Sequence, residues 1–189
     1  RRGSGMRSSR STLRLNLPTL LTLSRVVAIP LFIIVTPGHN LLGALVFAVA
    51  SLTDFLDGYL ARRSGEVTTF GIILDPIADK FLVIAALILL VDMARISVWV
   101  AVIIIVREFL VTALRVVALS RDIVIKAETG GKLKTASQVT AIIALILDRV
   151  VFGVDLYDLG IVLIWVSIVL SVVSGVQYMV SFWRKIAAA

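Results

Sequence analysis

Six apolar runs divide the chain, covering roughly 21–35, 41–62, 68–90, 97–119, 132–151 and 159–183, with short polar or turn-forming stretches between them. At 1.5 Å rise per residue, about 20 apolar residues cross a hydrocarbon core about 30 Å thick. In lipid every backbone N–H and C=O must find its partner within the protein, which strongly favours helices for runs of this length. The expected fold class is therefore all-α: a polytopic membrane protein, a bundle of six transmembrane helices. "LNLPTLLTLSR" ahead of the first run reads as a short N-terminal interfacial helix, its leucines on the membrane and Arg14 and Arg25 near the headgroups. The 189 residues are 59% hydrophobic, which leaves little chain for a separate soluble domain. The expected organisation is a basic tail over 1–13, a single catalytic membrane domain over 14–186, and a short end at 187–189. Arg1–Gly5 and Ala187–Ala189 read as cloning remnants, and no cleavable signal peptide is evident.

The formal net charge is +7, which in a soluble protein would suggest nucleic acid. Placement matters more here. With the N-terminus in the cytoplasm, the cytoplasmic segments hold most of the lysines and arginines, including Arg62, Arg63, Arg121, Lys132, Lys134 and Arg184. The opposite side holds Arg95 and Arg149 beside Asp92, Asp148, Asp155 and Asp158. That asymmetry puts both termini in the cytoplasm and agrees with an even number of spans. Cysteine is absent and His39 is the sole histidine, so thiol catalysis, disulfides and a histidine–cysteine zinc cluster are excluded.

A short list of charges falls inside or near the spans: Arg25, Asp54, Asp57, Asp75, Asp79, Lys80, Arg107, Glu108 and Arg115. Each ionised group at the centre of a span costs on the order of 2.5–3.5 kcal/mol on insertion scales. Ion pairing within the bundle is a fair reading of Arg107, but a weak one for four aspartates on two consecutive helices. At about 100° per residue, Asp54, Asp57, Gly58 and Ala61 share one arc of a helix, and Gly71, Asp75, Ala78 and Asp79 share one arc of the next. Asp57 and Asp75 both lie roughly 10–15 Å from the connecting loop, so antiparallel packing would bring the two acidic faces together at one depth, open to the cytoplasm.

Four neighbouring carboxylates cannot all stay ionised unaided, because like charges raise one another's pKa. Bound cations resolve this, and two divalent ions balance four negative charges. All-oxygen ligands favour Mg²⁺, Mn²⁺ or Ca²⁺ over zinc. Paired metals suit displacement at phosphorus. Gly58, Ala61 and Gly71 would leave room for a ligand against the backbone, or serve close helix packing.

The stretch resembles the signature of the CDP-alcohol phosphatidyltransferases, D-x2-D-G-x2-A-R-x8-G-x3-D-x3-D. Asp54, Asp57, Gly58, Ala61, Arg62, Gly71, Asp75 and Asp79 occupy every fixed position. The resemblance implies transfer of a phosphatidyl group from a CDP-linked lipid to an alcohol, with release of CMP. It implies two divalent cations, Mg²⁺ or Mn²⁺, on Asp54, Asp57 and Asp75, with Asp79 as general base and a further contact to a metal. It implies Gly58, Ala61, Arg62 and Gly71 at the nucleotide, a homodimer, and a cytoplasmic site in the bacterial inner membrane.

Three further stretches, "NLPTLLTLSR", "REFLVTALR" and "GKLKTASQ", are similar to the phosphatidylglycerophosphate synthase branch of that family. The substrates it implies are CDP-diacylglycerol and glycerol 3-phosphate. Because that acceptor is a dianion, Arg107, Arg115, Lys132, Lys134 and Arg25 are candidates for its phosphate, with Lys132 and Lys134 at a helix start. Lys132 and Lys134 are also what the positive-inside rule alone would place there, and Arg25 equally reads as a snorkelling arginine. By the same angular count Lys80 points away from the Asp75/Asp79 face and is the weaker candidate. Inositol phosphate, serine or phosphatidylglycerol as acceptor, a divalent-cation transporter and a non-catalytic lipid-binding scaffold are the competing readings. Nucleic acid is not an expected partner.

Overall fold

A computed structural model describes the backbone over residues 27–64, 69–120 and 130–187, and the side chains of these apart from 54–79, 115, 119–120, 130–132 and 185–187. Six helical segments occur among the described residues. They are α1 (27–35), α2 (Asn40–Ser64), α3 (Thr69–Asp92), α4 (Val98–Ser120), α5 (Gly130–Leu147) and α6 (Leu156–Ala187). The fold class is all-α. The interfacial helix expected over 15–25 lies outside the described residues, as does Arg25.

The helix ends follow from local chemistry. α1 stops at "TPGH", where the Thr36 hydroxyl donates to the Phe32 carbonyl at 2.6 Å and the His39 N–H donates to the Val35 carbonyl at 3.0 Å. α3 ends in a Schellman turn. The Arg95 N–H donates to the Leu90 carbonyl (2.8 Å) and the Ala94 N–H to the Val91 carbonyl (3.0 Å), with Ala94 at φ 56°. Ser97 caps the start of α4 through the Trp99 N–H at 3.4 Å, and Asp155 caps α6 through the Tyr157 N–H at 2.8 Å.

The junction of the last two helices differs from expectation. α5 ends at Leu147 rather than near 151, and α6 begins at Leu156 rather than near 159. Between them a small antiparallel hairpin pairs β1 (Val150–Val151) with β2 (Val154–Asp155). Its two turn residues, Phe152 (φ 50°) and Gly153 (φ 80°), both take positive φ, as a type I′ turn requires. The apolar "VVFGV" reads as helix by hydropathy alone, but α5 has already stopped at Leu147, where the next residue, Asp148, takes a positive φ of 41°.

The buried core lies in the N-terminal halves of α2, α4 and α6, the C-terminal halves of α3 and α5, and α1. Phe32, Phe47, Leu87, Leu90, Leu145 and Ile164 are fully enclosed there. Phe32 of α1 meets Phe47 of α2 with ring centroids 5.6 Å apart. Among the described residues α5 and α6 form the most extensive helix pair. Their close approach is set at Gly160, where an added Cβ would sit 2.7 Å from Leu145 Cγ and 3.1 Å from the Leu145 main-chain nitrogen.

At the same end, Arg95 bridges elements. Its guanidinium pairs with Asp148 and donates to the Leu145 carbonyl at the end of α5 (3.2 Å). The Tyr157 hydroxyl donates to the Arg95 carbonyl at 3.3 Å. The outer faces of the helices are apolar and exposed: Ile34 at 77%, Trp99 at 71%, and Leu52, Leu110, Val162 and Val169 all beyond half. Among the described residues one helix, the 29-residue Leu156–Arg184, is by itself long and apolar enough to cross a membrane.

Candidate active site

α2 runs unbroken through Asp54, Asp57, Gly58, Ala61 and Arg62, and α3 through Gly71, Asp75 and Asp79. The two helices pack against one another. The i, i+3 spacing on α2 and the i, i+4 spacing on α3 each put two of these acidic positions on one face of continuous helix backbone. The side chains of all eight residues lie outside the described ones. α3 also continues through Pro76. Proline has no N–H, so the Ile72 carbonyl one turn earlier lacks its helical donor, beside Asp75 along the helix. As a donor set, four carboxylates on two packed helices suit a hard divalent cation. Among the described residues no three acidic or histidine side chains converge.

Immediately after Asp79 the side chains are described. Lys80 turns toward α4, where its ammonium donates to the Thr112 hydroxyl. Thr112 in turn donates to the Glu108 carbonyl at 2.8 Å. Glu108 is the hub of the polar cluster. Its Oε1 accepts from Arg107 Nη1 at 3.2 Å and pairs with the Lys134 ammonium of α5. Arg107 extends across to α6, donating from Nε to the Ser171 carbonyl (2.7 Å) and from Nη2 to the Ser174 hydroxyl (2.6 Å). A Cβ at Gly175 would meet Arg107 Nε at 3.7 Å, an ordinary van der Waals contact.

Lys134 is buried, as is Gln138 one turn later on the same helix. Among the described residues the Gln138 amide nitrogen and the Ser171 hydroxyl are enclosed without a hydrogen-bond partner. Four helices thus contribute polar groups to one interior cluster, at the end of the bundle away from the apolar core.

Of the residues proposed for an acceptor phosphate, Arg107 and Lys134 come together, joined through Glu108. Arg115 and Lys132 lie on α4 and α5 with their side chains outside the described ones, and Arg25 is outside altogether. The cluster members given no role from sequence are Glu108, Thr112, Gln138, Ser171 and Ser174. Glu108 carried a signal, an acid in an apolar span. Thr112 and Gln138 lie in the stretches quoted for the synthase likeness; the serines carried no signal, because neutral polar residues are common in membrane helices.

Comparison with known proteins matches residues 15–173 to the CDP-alcohol phosphatidyltransferase family. A CDP-diacylglycerol–glycerol-3-phosphate 3-phosphatidyltransferase of Bacillus subtilis is 39% identical over 187 residues, covering 90% of this chain and 97% of its own. Proteins of the same name from Rickettsia bellii and Wigglesworthia glossinidia brevipalpis are 38% and 36% identical, covering 86% and 92% of this chain and 93% and 98% of their own.

Proposed function

The chain belongs to the CDP-alcohol phosphatidyltransferases and is a phosphatidyltransferase enzyme, and we propose that it transfers the phosphatidyl group of CDP-diacylglycerol to glycerol 3-phosphate. The products are phosphatidylglycerol phosphate and CMP. The observation that carries the choice of acceptor is the convergence of Arg107 and Lys134 in the interior, in a chain whose relatives bear the name of that reaction.

The acceptor hydroxyl attacks the β-phosphorus, its O–P bond forms, and the bond to the pyrophosphate bridging oxygen breaks to release CMP. Asp79 takes the hydroxyl proton; a carboxylate within hydrogen-bond reach is suited to that task. Gly58, Ala61, Arg62 and Gly71 line the nucleotide. Arg107 and Lys134, with Arg115, Lys132 and Arg25, hold the acceptor phosphate, the arginines through paired donors. Asp54, Asp57, Asp75 and Asp79 would hold two divalent cations, Mg²⁺ or Mn²⁺, which when bound would neutralise phosphate charge and ease departure of CMP.

The six helices span the bacterial inner membrane, both termini and the site facing the cytoplasm, in a homodimer. The exposed apolar faces of α1, α2, α4 and α6 support a bilayer setting, because soluble chains rarely leave such continuous apolar surface in water. The lipid tails stay among these faces while the CDP head meets a water-soluble alcohol at the polar end.

Purified protein supplied with CDP-diacylglycerol and Mg²⁺ should release CMP with glycerol 3-phosphate and not with inositol phosphate, serine or phosphatidylglycerol. Absence of CMP release with glycerol 3-phosphate, alongside release with another alcohol, would move the acceptor while keeping the family chemistry.

A further inference from the structure

We propose that Glu108 is a positioning residue for the acceptor: its carboxylate fixes Lys134 and Arg107 as one preformed phosphate clamp. The inference rests on the acceptor reading above and names a group which that reading does not use.

Two cations from different helices meet at a single carboxylate oxygen. Arg107 Nη1 and the Lys134 ammonium both bond Glu108 Oε1. The two cations differ in how they are held. Arg107 is anchored independently, by the Ser171 carbonyl and the Ser174 hydroxyl of α6. Lys134 has Glu108 as the one partner of its ammonium among the described residues. A buried ammonium on a four-carbon stem has many rotamers and a large cost if left unpaired. Without Glu108 it would turn away from Arg107, which repels it.

The α4 backbone at Glu108 is linked to α3. The Glu108 main-chain carbonyl accepts the Thr112 hydroxyl, and Thr112 receives the Lys80 ammonium, adjacent in sequence to Asp79. The acceptor's cations and the segment bearing the proposed base are thereby connected through one short run of bonds across α3, α4 and α5. Glu108 carries negative charge and is an unsuitable direct ligand for a phosphate. Its effect on the acceptor passes through Lys134 and Arg107.

Two physical effects predict opposite signs when the charge is removed. Glu108→Gln makes the pocket one unit more positive, and long-range attraction alone would tighten a dianionic acceptor. Loss of positioning would weaken it. We expect positioning to dominate, because the lost bond is charge-assisted and buried, and such bonds are worth about tenfold or more in binding.

The experiment measures initial rates on the full-length protein in detergent with Mg²⁺, varying glycerol 3-phosphate and CDP-diacylglycerol separately. Glu108→Gln should raise KM for glycerol 3-phosphate about tenfold or more, with KM for CDP-diacylglycerol little changed. Glu108→Asp, which keeps the charge on a shorter arm, should recover part of the loss and carries the test if Glu108→Gln does not fold. An unchanged or lowered acceptor KM in a folded Glu108→Gln protein overturns the proposal. So does an equal loss toward both substrates, the mark of a purely structural role.

Lys134→Met separates the two readings. If it raises acceptor KM while Glu108→Gln does not, the phosphate site stands and the positioning role falls. If Lys134→Met leaves acceptor KM unchanged, the assignment of Lys134 to the acceptor falls and the positioning role falls with it.

Discussion

Arg107 on α4 donates from Nε to the main-chain carbonyl of Ser171 on α6, 2.7 Å away. The bond ties an ionised side chain to the backbone of the longest helix, and the Ser174 hydroxyl takes a second bond from the same guanidinium at 2.6 Å. Lysine is a point donor and cannot reproduce both while also reaching Glu108. Arg107→Lys should therefore cost about 1.5–3 kcal/mol in stability, the range for hydrogen bonds to charged groups. In a thermal-shift measurement the midpoint should fall by several degrees, and turnover with glycerol 3-phosphate should fall as well.

Gly160 permits the α5–α6 contact. Alanine would drive a methyl group to 2.7 Å from Leu145 Cγ and 3.1 Å from a backbone nitrogen that cannot move aside. Overpacking of this kind costs about 1–3 kcal/mol. Gly160→Ala should lower the thermal midpoint without changing acceptor KM, since the contact lies at the end of the bundle away from the polar cluster.

Ala94 sits at φ 56° in the turn that closes α3. The left-handed region is costly for alanine and open to glycine. Ala94→Gly should stabilise the protein by about 1 kcal/mol, an increase of about 2–4 °C in midpoint for a chain of this size. An unchanged or lowered midpoint would show that the turn carries no relievable strain.

Asp79 is the proposed base. Asp79→Asn keeps the shape and removes the basic lone pair, so the protein should fold while turnover falls by about 10²–10⁴-fold. Retention of turnover in that variant would remove Asp79 from the role.

Chelation tests the carboxylate row as a whole. Activity should disappear with EDTA and return on adding Mg²⁺ or Mn²⁺, and Asp57→Asn should raise the metal concentration needed for half-maximal activity. Full activity in chelator would exclude the metal reading.

The helical segments were largely legible in the sequence. α2, α3 and α4 begin and end within a few residues of where the apolar runs do, because their limits are local events: "TPGH", the Ser97 cap and the turn after Asp92. The hairpin at 150–155 was not legible. Valine and phenylalanine are as apolar in a strand as in a helix; α5 ends where Asp148 takes a positive φ of 41°, and the pair of positive φ angles at Phe152 and Gly153 then turns the chain back.

The same division holds at the site. The aspartate signature is one of spacing along two helices, so the amino-acid order alone determined its presence, its likeness to the family, and the all-α class. Periodicity states which residues share a face of one helix. It does not state which faces of different helices meet. Only tertiary packing decided that Lys80 turns to Thr112 on α4, that Arg107 crosses to Ser171 and Ser174 on α6, and that Glu108, an unassigned acid in the sequence, stands between Arg107 and Lys134. Burial then makes those choices matter, because a charge that is tolerable in water must find its partner once the helices close around it.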